Sequence, residues 1–339
     1  MKTLTISIAA YNVAKYLPKT LELLADKRLA QYIEVLIIDD GSKDDTGKIA
    51  KKYAEKYPNV FKYVAKENGG HGSTINKGME LASGKYFRIL DGDDSIDVEN
   101  LLMLLNRMEE YNEDMFISDF RAITSEGERY IDAYVMHEGK NIFDSLTDNA
   151  VYAMDNSLKY MELIGLSTLA IKTELLKKYP FVITEHCYYV DVEFVVWCMA
   201  LAKEYRYFSQ PVYLYLKDRY TDNSVSKSNM IKNINMQEKV SLRLLDIYHE
   251  LNEHNMIKKK EMIIAKRIIS VLSATMRTYL LMKDSRNKVK FFEGEIQVNS
   301  QKIYKLMYKD KFIYLLRVGD YMLIPFIALC YCLYVKYKY

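Results

Sequence analysis

The 339-residue chain is predicted to be an α/β protein with a doubly wound, mostly parallel sheet and a helical C-terminal extension. Short apolar runs alternate with stretches of helical spacing over the N-terminal third, which is the pattern of strands and helices in such a sheet. Polar clusters follow directly after these runs. Beyond about residue 229, long stretches keep the helical period. Half of the residues are hydrophobic and 27% are charged, which is a globular composition.

The order of elements follows from the apolar pattern. Strands are predicted at Leu4–Ala9, Glu34–Ile38, Val60–Val64 and Tyr86–Leu90. Helices are predicted between them at Val13–Leu29, Lys43–Tyr57 and His71–Ala82. The run EVLII is short and continuous, as in parallel strands that are buried on both faces. The alternation predicts strand–helix–strand units rather than hairpins.

Polar residues stand just past the end of each predicted strand. They are Asn12, Asp39 to Ser42, Asn68 to Gly70, and Asp91 to Asp93. In open α/β sheets, ligands bind at the carboxyl ends of the strands. The four clusters therefore predict one ligand cleft rather than four separate surface turns.

The stretch RILDGDD ends the fourth strand with three carboxylates in four residues. A solvated acidic turn with a permissive glycine would explain such a sequence taken alone. A divalent-cation site explains it better at a strand end, because hard cations take oxygen ligands and cancel the repulsion between carboxylates. The sequence thus predicts that Asp91 and Asp93 face the cleft.

Several other classes of site are disfavoured. The stretch GHGSTI lacks the last glycine of GxGxxG and stands at the wrong turn for a dinucleotide site, and no GxxxxGK[ST] motif is present. The four cysteines form no CxxC pair and the five histidines show no zinc spacing, which favours a reduced, cytosolic protein. The opening MKTLTISIAAYN alternates with Thr and Ser, so it is interpreted as a strand and not as a signal peptide.

These blocks resemble the family-2 glycosyltransferases of GT-A fold. The resembling stretches are SIAAYNVAKYLPKTL, EVLIIDDGSKDDTGKIA, ENGGHGSTINKGMELASGKY, FRILDGDDSID, CYYVDVEFVVW and LYLKDRYTDNSVS. The resemblance implies a catalytic domain over residues 1–228, with a nucleotide-sugar half at 1–120 and an acceptor half at 121–228. Residues 229–339 would form a helical region.

The resemblance also implies the donor site. Its residues would be Ala9, Tyr11, Asp39, Asp40, Gly41, Asn68, Gly70, Asp91, Gly92, Asp93 and Arg219. Asp39 would accept a hydrogen bond from the base, which Ala9 and Tyr11 would frame. Asp93 would ligate a divalent cation, Mn²⁺ or Mg²⁺, and Asp91 would contact the ribose or metal-bound water. Family members often carry an Arg where this chain has Ile75, so a donor contact is either missing or supplied by His71 or Lys77.

An inverting transfer needs a carboxylate that takes the proton of the acceptor hydroxyl. By resemblance this base is Asp191, although Val190 replaces the usual preceding Glu. Without the resemblance, Asp191 would be an ordinary acid at a helix N-terminus. Glu193 and Glu185 are the other candidates. The stretch DRYTDNSVS resembles a loop that closes on the diphosphate, where Arg219 and Ser224 would bind phosphate oxygens.

The predicted function is transfer of a sugar from a nucleotide-sugar donor, a UDP-sugar, to a glycan or lipid-linked acceptor in bacterial capsule or exopolysaccharide synthesis. A non-catalytic nucleotide-sugar-binding module is one alternative. A nucleotidyltransferase is another, although AAYNVAKYL lacks the glycine-rich loop which that class needs. Nucleic acid is not an expected partner, because the cleft is acidic.

The tail differs from the body in charge. Met256 to Tyr339 holds 17 Lys and Arg against 6 Asp and Glu. Residues 231–283 predict two amphipathic helices, for a membrane surface or for a helical bundle. Tyr321 to Val335 carries no charge, is too short to cross a bilayer, and is expected to be interrupted by Pro325. The sequence predicts a cytoplasmic protein, peripheral at the inner face of the cell membrane, with a homodimer interface as the alternative use of the tail.

Overall fold

The computed structural model describes residues 1–124, 136–137, 140–141, 146–155, 164–216 and 226–338. The chain divides into two compact units, Met1–Arg219 and Tyr220–Tyr339. The predicted functional boundary at residue 228 stays a prediction.

The first unit alternates strands and helices from its N-terminus, as predicted. Its strands are β1 (Leu4–Ala10), β2 (Ile33–Asp39), β3 (Phe61–Ala65), β4 (Tyr86–Asp91), β5 (Ser95–Ile96), β6 (Met115–Ile123), β7 (Met136–His137), β8 (Lys140–Asn141), β9 (Val151–Ala153), β10 (Leu169–Lys172) and β11 (Glu204–Leu216). Its helices are α1 (Leu17–Leu24), α2 (Thr46–Lys56), α3 (His71–Leu81), α4 (Val98–Glu110), α5 (Thr173–Lys178) and α6 (Asp191–Leu201). Helix α1 is shorter than the predicted range Val13–Leu29. It begins at Leu17, with Pro18 in its first turn, where proline is favoured.

Among the described residues, the main sheet has nine strands in the order β3-β2-β1-β4-β10-β6-β11-β5, with β9 pairing β11. The strands β3, β2, β1 and β4 are mutually parallel. β10 lies antiparallel between β4 and β6, while β11 runs parallel to β6. Only β5, β9 and β10 oppose the common direction. The prediction of a mostly parallel α/β sheet is confirmed.

The core of this unit lies between the sheet and the helices α1 and α4. Leu17, Leu21 and Leu24 of α1 recur at helical spacing and are fully buried, as are Leu101 and Leu105 of α4. All seven residues of β2 are buried. A strand covered on both faces needs no alternation of polar and apolar residues, which explains the continuous run EVLII.

One buried carboxylate ties the amino ends of the strands together. Glu34 of β2 accepts hydrogen bonds from Thr5 Oγ1 at 2.8 Å, from the Ser83 amide at 3.0 Å and from Ser83 Oγ at 2.8 Å. Lys62 of β3 completes the set with an ion pair at 2.5 Å. Burial acts to raise the pKa of Glu34, but these partners outweigh it and lower the pKa below its ordinary value.

The second unit is helical in its described part. Its helices are α7 (Lys227–Lys232), α8 (Ile234–Glu253), α9 (Glu261–Leu280), α10 (Ser285–Asn299), α11 (Gln301–Leu306), α12 (Lys311–Arg317) and α13 (Ile324–Lys338), with a 3-10 turn at Met307–Lys309. The two amphipathic helices predicted over residues 231–283 are confirmed as α8 and α9. They pack on each other, and Ile264, Ile268 and Leu272 are fully buried. The pair therefore buries apolar side chains in helix–helix packing within the second unit.

The expectation that Pro325 interrupts the last apolar stretch is wrong. Helix α13 begins at Ile324, so Pro325 stands in its first turn, where a residue needs no amide hydrogen for the helix. Among the helices of the described chain, none combines the length and apolarity needed to cross a membrane.

Candidate functional site

The carboxyl ends of β1, β2 and β4 meet at one edge of the sheet. Ala9 stands opposite Asp91, and Ala10 stands opposite Asp39. The Asp40 amide donates to the Ala10 carbonyl at 2.9 Å, and the Gly92 amide donates to the Ala9 carbonyl at 2.9 Å. A Cβ on Gly92 would lie 2.8 Å from that carbonyl, so only glycine fits where the loop after β4 crosses β1.

Asp40 holds the glycine-rich turn in place. Its buried carboxylate accepts from the amides of Gly69 at 2.9 Å and Gly70 at 2.8 Å. Lys66 Nζ pairs with it at 2.7 Å and Ser73 Oγ lies at 3.1 Å. Asn68 donates its side-chain amide to the Asp40 carbonyl at 2.9 Å. Asp40 and Asn68 therefore act on the chain itself, and a contact of either residue with a donor stays a prediction.

Two of the three glycines predicted in the donor site adopt backbone conformations that favour glycine. Gly41 has φ +73° and Gly70 has φ +79°. Both allow the loops after β2 and β3 to turn sharply beside each other, because a Cβ on Gly41 would lie 3.1 Å from the Asn68 amide nitrogen. The turn chemistry thus explains these positions without a ligand.

Asp39, predicted to contact the base, is buried at the end of β2. Its Oδ1 accepts from the Ser42 amide at 2.9 Å, and its Oδ2 accepts from Tyr63 OH at 3.0 Å. Burial, followed by the hydrogen bond to Asp39, raises the pKa of Tyr63. Tyr11, predicted beside it, is 47% exposed. A contact of either residue with a nucleotide stays a prediction.

The three carboxylates of the acidic turn have different surroundings. Asp94 is buried, and it accepts from Tyr213 OH at 2.6 Å and from the Leu216 amide at 2.8 Å, both on β11. Asp91 and Asp93 are only partly buried. One carboxylate therefore anchors the turn to the far side of the sheet, while the other two flank Gly92 at the strand-end edge.

His71, the first residue of α3, faces Asp91. Its Nε2 lies 3.3 Å from Asp91 Oδ1, an ion-pair distance. Burial acts to lower the pKa of His71, but Asp91 first, then Asp191 and Asp93, outweigh burial and raise the pKa above its ordinary value. The 3.3 Å contact thus joins α3 to the acidic turn, and Asp191 and Asp93 add to the negative charge that acts on the imidazole.

Asp191 is the first residue of α6, as predicted, with the buried Val190 at the cap. The segment that precedes α6 is held against α3. Asn76 donates to the Ile183 carbonyl at 2.9 Å and accepts from the Ile183 amide at 2.8 Å. The segment also passes so close that a Cβ on Gly72 would lie 2.0 Å from the Thr184 carbonyl oxygen. These contacts therefore hold the segment that leads into α6 and Asp191 against α3.

The two other candidates for the base differ from Asp191. Glu193 is fully buried, and its Oε2 accepts from the Thr184 amide at 2.9 Å. Glu185 is exposed and accepts from Asn76 Nδ2 at 3.0 Å. Their contacts give both residues a part in holding the segment before α6.

Of the two residues offered as replacements for the arginine missing at Ile75, only His71 faces the acidic turn. Lys77 pairs with Glu80 at 2.9 Å on the exposed side of α3, and Ile75 itself is buried. Arg219 and Ser224, predicted to bind phosphate, lie outside the described residues.

The donor set at the acidic turn suits a hard divalent cation. Within the described ranges, no three His, Cys, Asp or Glu side chains are grouped to hold a metal by themselves. Asp91 and Asp93 supply oxygen ligands only, and Mg²⁺ characteristically takes one or two carboxylates together with substrate phosphates. Two half-buried carboxylates at a strand-end edge fit that pattern.

Lys66, Ser73, Tyr63 and Tyr213 were not predicted from the sequence. Each contributes through a contact with a residue far away in the chain, and no local pattern marks it. A cavity of about 290 Å³ lies elsewhere, lined by residues of α1 and α2 such as Glu22 and Tyr53. It contains none of the predicted site residues.

Comparison with known proteins gives a family for this layout. The model described as "Glycosyl transferase family 2" matches residues 5–161. The Bacillus subtilis "Minor teichoic acid biosynthesis protein GgaB" is 32% identical over 124 residues, 36% of this chain and 14% of that protein. A Mycoplasma pneumoniae protein, "Uncharacterized glycosyltransferase MG060 homolog", is 37% identical over 120 residues, 34% of this chain and 40% of that protein. The chain thus spans well under half the length of these relatives.

A solved structure extends the likeness of fold to most of the chain. The crystal structure of S. aureus TarS 1-349 in complex with UDP-GlcNAc matches 90% of this chain and 91% of its own, with a TM-score of 0.56 at 17% identity. The expected GT-A fold is thereby confirmed. Residues 5–161 of the chain are thus similar to glycosyl transferase family 2, and the TarS likeness supports the fold.

Proposed function

We propose that the protein transfers a sugar from a nucleotide-sugar donor to a hydroxyl of a glycan or lipid-linked acceptor, with inversion at the anomeric carbon. The observation that carries this proposal is the 3.3 Å contact between His71 Nε2 and Asp91 Oδ1, together with the raised pKa of His71, to which Asp91, Asp191 and Asp93 contribute. Asp91 and Asp93 are a pair of carboxylates suited to a diphosphate-bound cation, and Asp191 is a carboxylate suited to deprotonating a hydroxyl.

Each residue has a distinct task in this reaction. The acceptor oxygen bonds to the anomeric carbon as the bond from that carbon to the diphosphate breaks. An Asp191 carboxylate oxygen takes the hydroxyl proton. Asp91 and Asp93 would hold Mn²⁺ or Mg²⁺, which neutralises the charge of the leaving diphosphate. Asp40 keeps the glycine-rich turn against the same edge, and Asp94 fixes the acidic turn to β11.

The donor and pathway are proposed from relatives. UDP-GlcNAc is bound in the TarS structure of the same fold, so a UDP-sugar is the donor to test first. GgaB bears the name of a teichoic acid biosynthesis protein, which supports a role in a bacterial surface polysaccharide. Capsule or exopolysaccharide synthesis is the corresponding proposal for this chain.

We further propose that the protein works in the cytoplasm at the inner face of the cell membrane. A soluble donor and a lipid-linked acceptor would meet there. The basic C-terminal third supports this location, because anionic lipids attract clustered Lys and Arg.

The test is turnover of UDP-sugars by the full chain with Mn²⁺, measured as UDP release. Asp191→Asn should lower kcat by roughly 10²–10⁴-fold with little change in UDP affinity, because a general base acts in the transition state and not in donor binding. Glu185→Gln is the matched control, since Glu185 is an exposed carboxylate just before the same helix.

Near-normal turnover by Asp191→Asn would remove the role from Asp191. Affinity for UDP-sugars without any turnover by the native protein, across donors and acceptors, would instead support the binding-module alternative.

A further inference from the structure

The end of the second unit exposes an unusual number of large apolar side chains. Of the exposed large hydrophobic residues in the described chain, nearly half fall between Tyr308 and Leu333. Soluble proteins seldom expose contiguous apolar patches, and where such patches occur they mark a contact surface.

These side chains form one continuous stripe on α13 and the turn before it. Phe326, Leu329, Cys330 and Leu333 are exposed and recur at the i, i+3, i+4 and i+7 spacing that defines one side of a helix. Met322 and Leu323 are exposed just before the helix. We call these six residues the C-terminal apolar face.

The opposite side of α13 is already packed. Ile324 is fully buried, and Cys332 Sγ lies 3.8 Å from the Leu280 carbonyl oxygen at the end of α9. Contacts with α9 and α10 hold α13 within the second unit. Helix α13 is therefore apolar on all sides, and the C-terminal apolar face is the side that is not packed against the other helices of the second unit.

The surroundings of this face are basic. After Asp320 the chain contains no acidic residue, and Lys336 and Lys338 follow the apolar stretch in the sequence. Lys311, at the start of α12, is exposed. The acidic Asp320 is engaged by Lys290 at 3.2 Å. An anionic surface is the partner that complements this charge.

We propose that the C-terminal apolar face docks on an anionic lipid surface, with its side chains in the headgroup–acyl boundary and the C-terminal lysines at the phosphates. Apolar residues on one side, lysines beside them and tyrosines at the edge are the composition of interfacial helices. The proposal deepens the location given under the proposed function and rests on it, since it names the surface that would reach the membrane.

A second copy of this chain fits the same face less well. A two-fold interface brings the same patch of both subunits together. Two basic segments without acidic residues would then share one interface, and like charges brought together oppose association. A lipid surface presents the opposite charge to every one of them.

The test uses the full chain and flotation with vesicles of phosphatidylglycerol and phosphatidylcholine, or of phosphatidylcholine alone. Binding should require the anionic lipid and weaken with added salt. Phe326→Asp combined with Leu329→Asp should lower partitioning at least about tenfold, because it removes two inserted side chains and adds repelled charge. Val298→Asp is the matched control, because Val298 is 84% exposed on α10 and lies outside the face. It should bind as the native chain does.

UDP-sugar hydrolysis should stay at the native level in all these variants, so loss of membrane binding is separate from loss of the enzyme activity. Unfolding temperatures equal to that of the native chain show that the aspartates have not disrupted the bundle. The proposal is overturned if the native chain ignores anionic vesicles, or if the double variant floats as well as Val298→Asp does. It is also overturned if light scattering shows a lipid-free dimer that the double variant converts to monomer.

Discussion

Arg88 is a buried cation in β4, three residues before the acidic turn, and its replacement gives a sharp test of the electrostatics of this fold. Its side chain is fully buried. The two terminal nitrogens contact Ser118 Oγ at 3.1 and 3.2 Å, and one also donates to the Ser167 carbonyl. Within the described residues, no carboxylate lies at ion-pair distance from it. We predict that Arg88→Met leaves the fold at least as stable as it is now.

The magnitude follows from the cost of burying the charge. Burial lowers the pKa of Arg88 to about 10, a loss of more than a hundredfold in proton affinity. Since each tenfold change is worth about 1.4 kcal/mol, the native state loses about 3 kcal/mol to this charge. Methionine fills a similar linear space without charge. It leaves the Ser167 carbonyl without its donor, at about 1–2 kcal/mol, while Ser118 Oγ keeps a contact of 3.4 Å with the Thr168 carbonyl. The net change should lie between zero and about 2 kcal/mol of added stability.

Urea unfolding followed by the fluorescence of the single tryptophan, Trp197, measures this change. Trp197 lies in α6 of the same unit as Arg88. Arg88→Ala is the comparison, because a truncated side chain leaves a cavity and should lower stability by about 2–4 kcal/mol. Ser118→Ala should cost about 1–2 kcal/mol in the native background and much less in Arg88→Met, since the hydroxyl acts there on a charge that is gone. A methionine variant less stable than the native chain by more than about 1 kcal/mol would refute the reasoning.

Three further predictions concern the site and the sheet. Asp93→Ala should lower UDP affinity in the presence of Mn²⁺ at least about tenfold. Without metal, the variant should unfold at no lower temperature than the native chain, because one carboxylate of a repulsive pair is removed. Calorimetry that shows unchanged UDP affinity and unchanged Mn²⁺ dependence would reject the metal assignment. His71→Ala should weaken UDP binding severalfold through loss of its contact with Asp91, whereas Lys77→Ala on the exposed side of the same helix should not; equal effects of the two variants would contradict this. Glu34→Gln should reduce stability near pH 7. Because the pKa of Glu34 is lowered in the folded state, its contribution to stability is complete above its unfolded-state pKa and is lost as pH falls through its folded-state pKa. The free energy of unfolding of the glutamine variant should therefore fall less steeply than that of the native chain as pH is lowered. An equally steep fall in both proteins would contradict this prediction.

The parallel half of the sheet was predictable because its information is local. Each strand from β1 to β4 is an apolar run bounded by polar residues, and each ends within one residue of its predicted carboxyl end. Right-handed strand–helix–strand units then bring those ends to one edge. The positions of Asp39 and Asp91 were predictable for the same reason. Each stands at the end of a strand that pairs with β1, so the strand ends alone place both residues beside it.

The rest of the sheet could not be predicted in this way. β10 has four residues, and its place between β4 and β6 depends on pairings over 50 or more positions of sequence. Asp94 shows the same limit at the level of one side chain. Its sequence neighbours suggest a third ligand for a metal, yet Tyr213, more than a hundred residues away, draws it into the core. The role of a carboxylate depends on its hydrogen-bond partner, and here that partner is distant in the sequence.

The contact between Gly72 and Thr184 has a consequence for exchanging parts between relatives. With no room for a Cβ there, α3 and the segment that leads into α6 form a tightly fitted pair of surfaces. Asn76 strengthens this contact, because its side-chain amide hydrogen-bonds both the carbonyl and the amide of Ile183. A chimera that takes its acceptor half from another enzyme would join two mismatched surfaces at this seam, and Asp191 would be displaced from the acidic turn even if every active residue were kept. The smallest transferable unit therefore includes α3 together with residues 183–191, because the position of Asp191 depends on the contacts that α3 makes with this segment.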